Sequence, residues 1–366
     1  MTAAAGVPHV PKPSERDRVL RLDFECLQTL PGGLSDVRVW WDDNLGCDHV
    51  GKRIDLSSLD NVLPEPSTLK AIDHDNVVPI LVAPTVEGYP APMRVVEIVT
   101  PYYPLGSLTD AFLRGVRFTP IQSIRIVQAA LRGLGHLHEI KGIAHRDIKS
   151  GNILLTGDEH VARLADLGCA GRMESDGTVP ALGNPTLYSP PELIGSGQLT
   201  RATDLYAMGL VLLELLRGGF DYASYSTLGI AERLMRGFSP LSTSDRVVPV
   251  WVSRSLRRVL KKALQSHPSN RYQTASEMDH ALAQVTMVDW VQTAEMVWEA
   301  PFAYHSGWQI RIDATRRRSA GFRLTTRIDR GSGLRRYGVD DLDVDELDST
   351  PVRNFFDQAT DTATTR

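Results

Sequence analysis

The chain has few of the features that would place it outside the ordinary soluble world. Of its 366 residues only three are cysteine, at 26, 47 and 169, too few and too scattered for a disulfide framework or a zinc site. A reducing, cytoplasmic setting is the expectation. No basic segment followed by an apolar one opens the sequence, so the Ala- and Pro-rich stretch 1–18 reads as a disordered lead-in, not a signal peptide. The longest apolar run, Leu205 to Leu216, contains Glu214 and falls well short of the ~20 residues that span a bilayer. Nor is there a strong charge of either sign: a formal net charge of -4 excludes a polyanionic partner for the whole molecule and leaves only local patches to consider.

What is present is a hydrophobic fraction of 42%, enough for a full core and more than one domain. Leu30-Pro-Gly-Gly-Leu-Ser-Asp-Val37 places glycines before an alternating apolar run, Arg38-Val-Trp-Trp41. Read locally this is a hairpin corner or a phosphate-holding loop, and any tight turn uses glycine to reach positive φ, so the local signal favours the corner.

Further on stands Ile143-Ala-His-Arg-Asp-Ile-Lys-Ser-Gly-Asn-Ile-Leu-Leu155. Its H-R-D-x-K-x-x-N pattern resembles the catalytic loop of Hanks-type serine/threonine protein kinases, and the resemblance extends over about 19–288. It implies an α+β, two-lobed protein kinase fold, with a small β-rich N-lobe and a large helical C-lobe. It also implies an enzyme that uses ATP and Mg2+ to phosphorylate Ser/Thr hydroxyls of proteins, itself included. Phosphoryl transfer asks mainly for positioning and charge neutralisation, which is why these residue types occur together. By resemblance Asp147 accepts the hydroxyl proton, Lys149 sits by the transferring phosphate, and Asn152 holds magnesium. Ala165-Asp-Leu-Gly168 is similar to D-F-G, making Asp166 the second metal ligand.

The same frame assigns the remaining motifs. Gly183-Asn-Pro-Thr-Leu-Tyr-Ser-Pro-Pro-Glu192 resembles the end of an activation segment, one residue longer than usual, so that either Asn184 or Thr186 stands where a threonine normally touches the catalytic loop. Thr203-Asp-Leu-Tyr-Ala-Met-Gly209 leads into the central buried helix, with Asp204 holding the catalytic-loop backbone, and Arg271 pairs with Glu192. Arg146, before Asp147, implies control by phosphorylation at Ser175, Thr178 or Thr186. His136 and His138, two apart on a helix, do not face each other and read as packing and polar surface rather than a metal pair. Cys169 reads as a small apolar packing residue.

Toward the N-terminus, His49-Val-Gly-Lys-Arg-Ile54 resembles the strand whose lysine, Lys52, pairs the nucleotide phosphates. Its expected partner is Glu65, flanked by Pro64 and Pro66, which forces a short helix beginning there. Met93 to Val99 alternates like a strand. Thr100 is the gatekeeper of a hinge in which backbone groups of Pro101, Tyr102 and Tyr103 face adenine, while Val37, Val50 and Leu154 sandwich it. In this register only Gly32 survives of a G-x-G-x-x-G loop, with Leu30 and Ser35 at the other glycine places.

From Trp290 the resemblance ends. Gly307 to Asp313 and Phe322 to Ile328 alternate as half-buried strands around a hairpin connection, giving a small β-rich accessory module over 290–339. Between Trp298 and Val339 nine arginines stand against three acids, an excess of six, and 340–366 follows as an acidic tail. Such a hairpin can bind an acidic partner or nucleic acid, or neutralise itself. Two rivals to the enzyme reading follow: a nucleotide-binding pseudokinase scaffold, and a nucleic-acid binder regulated by the kinase-like region. The Ala- and Arg-rich composition suggests a bacterial source.

Overall fold

Alternating apolar residues build the first sheet, and a computed structural model describes residues 26–30, 37–59, 66–157 and 162–365. The chain divides into two units, one of 1–61, 65–71 and 79–102 and one of the remainder. In the smaller, strands β1 (Cys26–Leu30), β2 (Val37–Asp42), β3 (Cys47–Asp55) and β4 (Val95–Pro101) form an antiparallel sheet in sequence order, with the five-residue helix α1 (Pro66–Lys70) between β3 and β4. The last strand starts two residues later than its alternation suggests. Met93 N–H is held by Pro90 C=O in a turn, and Arg94 N–H by the Asp55 carboxylate.

Register sets the faces of this sheet. Val37 lies opposite Lys52 and Lys52 opposite Ile98, while Val39 opposes Val50 and Val50 opposes Thr100. Since side chains alternate with period two, Val37, Val50, Lys52 and Thr100 share one face. The other face is closely packed at Gly51, where a Cβ would stand 2.3 Å from Glu97 Oε1 and 2.6 Å from Trp40 Nε1.

The larger unit is helical first and β-rich second. Its kinase-like part contains α2 (Leu108–Leu113), α3 (Pro120–Gly135), β5 (Ile143–Ala144), β6 (Ile153–Leu155), β7 (Ala162–Leu164), β8 (Gly171–Arg172), β9 (Val179–Pro180), β10 (Gln198–Leu199), α4 (Arg201–Arg217), α5 (Thr227–Met235), α6 (Arg254–Ala263) and α7 (Ala275–Ala283). Thr119 and Gln122 form a capping box that starts α3, with Pro120 in its first turn. In α4 every residue from Ala202 to Leu216 is buried, as an all-round apolar helix must be. Gly218 ends it in the left-handed conformation, φ 80°.

The accessory region is larger than its alternating strands indicate. Strands β11 (Val291–Ala294), β12 (Val297–Pro301), β13 (Gln309–Arg316), β14 (Phe322–Asp329) and β15 (Leu334–Arg336) form an antiparallel sheet, and β16 (Leu342–Val344) also pairs with β14. Helix α8 (Thr350–Thr364) follows, burying Val352, Phe355, Phe356, Ala359 and Ala363. Phe356 meets Trp290 and Trp298 edge-on at 5.3 and 5.4 Å. The stretch expected as an acidic tail is therefore part of the module. Its aspartates pair with the module's arginines, and its apolar residues recur at helical spacing.

That pairing also bears on the expected acidic or nucleic-acid partner. Arg323 holds Asp343 with two hydrogen bonds of 2.7 and 2.8 Å, and Arg317 lies 3.6 Å from the same carboxylate. Arg336 pairs with Asp341, Arg311 with Asp313 and Glu299, and Arg327 with Asp313. Much of the positive excess is thus met inside the module. Contacts to the helical part are specific: Asp357 accepts from Arg254 N–H at 2.9 Å and Arg257 Nη2 at 2.5 Å, and Asp289 accepts from Ile121 N–H at 2.8 Å.

Candidate active site

Loop residues 145–152 are fixed from below by buried carboxylates of α4. Asp204, 2% exposed, accepts from His145 N–H and Arg146 N–H, each at 2.8 Å. Burial pushes its pKa up, but the His138 hydrogen bond and the His145 amide outweigh that and hold it below the usual carboxylate value. His138, 1% exposed, donates from Nε2 to Asp204 Oδ2 at 2.8 Å. The expectation of generic packing missed this role, because the partner stands 66 residues away in sequence. His136 lies against His74, ring centroids 5.1 Å apart.

On that base Lys149 Nζ bonds Asp147 Oδ2 at 2.7 Å, and Asn152 Nδ2 bonds the Asp147 C=O at 2.8 Å and Oδ2 at 2.9 Å. Both side-chain donors converge on Oδ2, so Oδ1 is the oxygen positioned to receive a proton. With its amide nitrogen committed to Asp147, Asn152 offers Oδ1 to a metal. The following backbone continues the arrangement: Ala165 N–H donates to Asn152 C=O at 2.9 Å, and Ile153 pairs with Leu164. Asp166 adopts φ 58°, a left-handed conformation that aspartate tolerates better than most residues, and its Oδ1 accepts from Gly168 N–H at 3.2 Å.

Neither candidate for the missing threonine contact bonds the catalytic loop. The Thr186 hydroxyl accepts from Tyr188 N–H and lies 3.4 Å from the Ser189 hydroxyl, and Asn184 Nδ2 donates to Cys169 Sγ at 3.6 Å, although both line a small cavity with Asp147. The tie that does exist runs through residues that the motifs did not single out. Ser150, fully buried, shares hydrogen bonds of 2.7 Å with Thr109 Oγ1 and Tyr188 Oη, and Tyr188 donates to Glu214 Oε2 at 2.6 Å. Tyr222 donates to the other Glu214 oxygen. Burial pushes the Glu214 carboxyl up to about 7 against the opposing pull of these hydroxyls. Arg271 and Glu192 form the expected pair, with Nη1 and Nη2 bonds of 2.6 and 2.7 Å.

The nucleotide-side residues divide between the units. Val37, Val50, Lys52 and Thr100 share a face of the small sheet, and Tyr102 N–H donates to Asp48 C=O at 3.4 Å, so it is turned into the sheet rather than toward a ligand. In the larger unit Tyr103 C=O accepts from Gly106 N–H, and Leu154 lies in β6 opposite Arg163. Gly32 and Glu65, together with Ser35, lie outside the described residues. Magnesium needs oxygen donors and keeps much of its shell for phosphate and water, so one carboxylate, Asp166, and one amide oxygen, on Asn152, suit it. Among the described residues no cluster of three or more His, Cys, Asp or Glu side chains could hold a metal without such help, and no helix is long and apolar enough to cross a membrane.

Comparison with known proteins agrees with this geometry. A family profile described as the protein kinase domain matches residues 33–283. Serine/threonine-protein kinase ULK3 of Xenopus laevis is 28% identical over 247 residues, 67% of this chain and 50% of its own. Serine/threonine-protein kinase PknB of Mycobacterium leprae is 30% identical over 264 residues, 69% of this chain and 41% of its own. The cytokinesis protein sepH of Aspergillus niger is 29% identical over 231 residues, 63% of this chain and 16% of its own. The chain thus aligns with half or less of the length of these curated relatives.

Proposed function

The chain belongs to the protein kinase domain family, and from that premise we propose that it transfers the γ-phosphate of ATP to serine and threonine hydroxyls of proteins, its own included. The observation that carries this reading is the convergence of Lys149 and Asn152 on one oxygen of Asp147, which leaves Oδ1 to accept the proton of an incoming hydroxyl. Lys149, beside that carboxylate, neutralises charge on the transferring group. Asp166 and Asn152 Oδ1 hold Mg2+, which when bound shields the phosphates and orients them for in-line attack. Lys52 pairs the α- and β-phosphates, with Glu65 orienting the lysine and Gly32 allowing close backbone approach. Val37, Val50 and Leu154 pack on adenine, Thr100 guards the back of the pocket, and the hinge at Tyr102 and Tyr103 meets the base edge. The Pro101 C=O and Tyr103 N–H are the hinge groups for that contact, since Tyr102 N–H is already bonded to Asp48.

The full set of polar residues favours an enzyme over a scaffold that only binds nucleotide, and the internal pairing of the arginines gives no support to nucleic-acid binding as the main activity. The three scattered cysteines fit a cytoplasmic setting, and the composition a bacterial one. Radiolabelled phosphate transfer with Mg2+ to a basic protein substrate tests the proposal. Wild type labels the substrate, chelation of the metal stops it, and Asp147→Asn, with unchanged circular dichroism and melting, loses it. Transfer persisting in purified Asp147→Asn overturns the assignment.

A further inference from the structure

Arg146 was expected to await a phosphate on the activation segment, but its fork is already filled. Nε donates to Cys169 C=O at 2.6 Å, Nη2 to Ala170 C=O at 2.9 Å and Nη1 to Pro180 C=O at 2.8 Å. These carbonyls lie at both ends of the segment's first half, directly after the Asp166 turn and at the strand that pairs with Gln198–Leu199. Gly171 makes the approach possible: a Cβ there would stand 2.6 Å from Arg146 Cζ and Nη2 and 2.8 Å from Val179 Cγ2. The segment is also stitched by its backbone. Gly171–Arg172 pairs with Ile143–Ala144, Met173 N–H donates to Gly142 C=O at 2.8 Å, and Ala181 N–H to Gly197 C=O at 3.0 Å.

The hydroxyls available for phosphorylation are poorly placed to change this. Ser175 and Thr178 lie in a turn closed by Glu174 N–H on Thr178 C=O, and Asp176 Oδ1 accepts from both Thr178 N–H and its hydroxyl at 2.9 and 2.8 Å. A phosphate there would sit beside Glu174 and Asp176, where like charge opposes it, and would have to displace three carbonyls to reach the guanidinium.

We propose that Arg146 is a positioning residue that holds the activation segment in its ordered form without a phosphate, so that transfer does not wait for phosphorylation at Ser175, Thr178 or Thr186. The inference rests on the kinase reading for its link to transfer, but the ordering can be measured without it. Phosphatase-treated full-length protein is compared with protein preincubated with ATP, by amide hydrogen exchange and by the time course of transfer. The Met173 and Ala181 amides are expected to be equally protected in both preparations. Arg146→Lys, which keeps charge but lacks the fork, and Gly171→Ala, which crowds it, lower that protection roughly tenfold or more while α4 amides stay protected. Ser175→Ala/Thr178→Ala transfers phosphate without a lag at a rate within about twofold of wild type. Protection that appears only after phosphorylation, or a lag that prior phosphorylation removes, overturns the proposal. Full protection with no transfer in any preparation overturns the kinase reading and leaves the ordering role standing.

Discussion

Charge is used in two ways within the larger unit. In the helical part ionised groups are buried and each is committed to several partners: Asp204 is 2% and Arg271 1% exposed. In the β-rich module the pairs lie at the surface, with the Arg323 and Asp343 side chains 52% and 35% exposed. The buried groups cannot change partners without losing bonds that water cannot replace, so they fix one geometry. The surface pairs cancel a charge excess at little energetic cost or gain.

Arg271→Ala should break this contrast most severely. It removes two bonds to Glu192, others to the Gln265 and Ser266 carbonyls at 2.7 Å, and the stacking over Tyr206. A loss of about 3–5 kcal/mol is expected in urea unfolding. Glu214 gives the next largest effect through pH. Its pKa rises from 4.5 to about 7 in the folded state, so the native protein holds this proton more tightly than the unfolded chain. The resulting stability is full below pH 4.5 and disappears as pH rises through about 7, a change of up to about 3 kcal/mol. Glu214 faces Tyr188, Tyr222 and Ser150, and the tyrosines titrate far above this window. Urea midpoints of Glu214→Gln measured from pH 5 to 8 should show a flatter slope than wild type.

Asp357→Asn probes the junction between the two kinds of region. It weakens the bonds to Arg254 N–H and Arg257, and a loss of about 1–3 kcal/mol is expected by the same measurement. At the surface, Arg323→Ala should cost less than about 1 kcal/mol despite its two short bonds, and that loss should shrink further in salt. A larger penalty at Arg323 than at Asp357 would reverse the comparison.

Much of the catalytic architecture was legible in the sequence because its residues sit in short motifs in a constrained order. Asp204 reaching the loop backbone and Arg271 meeting Glu192 followed from that order. His138 was not legible, since weighing it only against His136 ignored a carboxylate in a distant helix. The Ser150–Tyr188–Glu214 chain was missed because hydroxyls carry no distinctive spacing and meet only after α4 is packed. In the acidic C-terminal stretch, charge obscured the period of Val352, Phe355, Phe356, Ala359 and Ala363. The signal was nevertheless present: Ser349, Thr350 and Pro351 form an ordinary helix start.

The bond from Asp357 to the Arg254 amide spans 103 residues, and this has a bearing on how the protein is made. On a ribosome adding about 5–20 residues per second, α6 is synthesised roughly 5–20 s before the carboxylate that covers its first turn. During that interval the α6 N-terminus has its own Ser253 cap but not the outer partner, and Trp290 lacks the helix against which it packs. The nascent helical part therefore presents an unfinished apolar edge until α8 emerges, which makes this stretch of translation the period when a chaperone has most to bind.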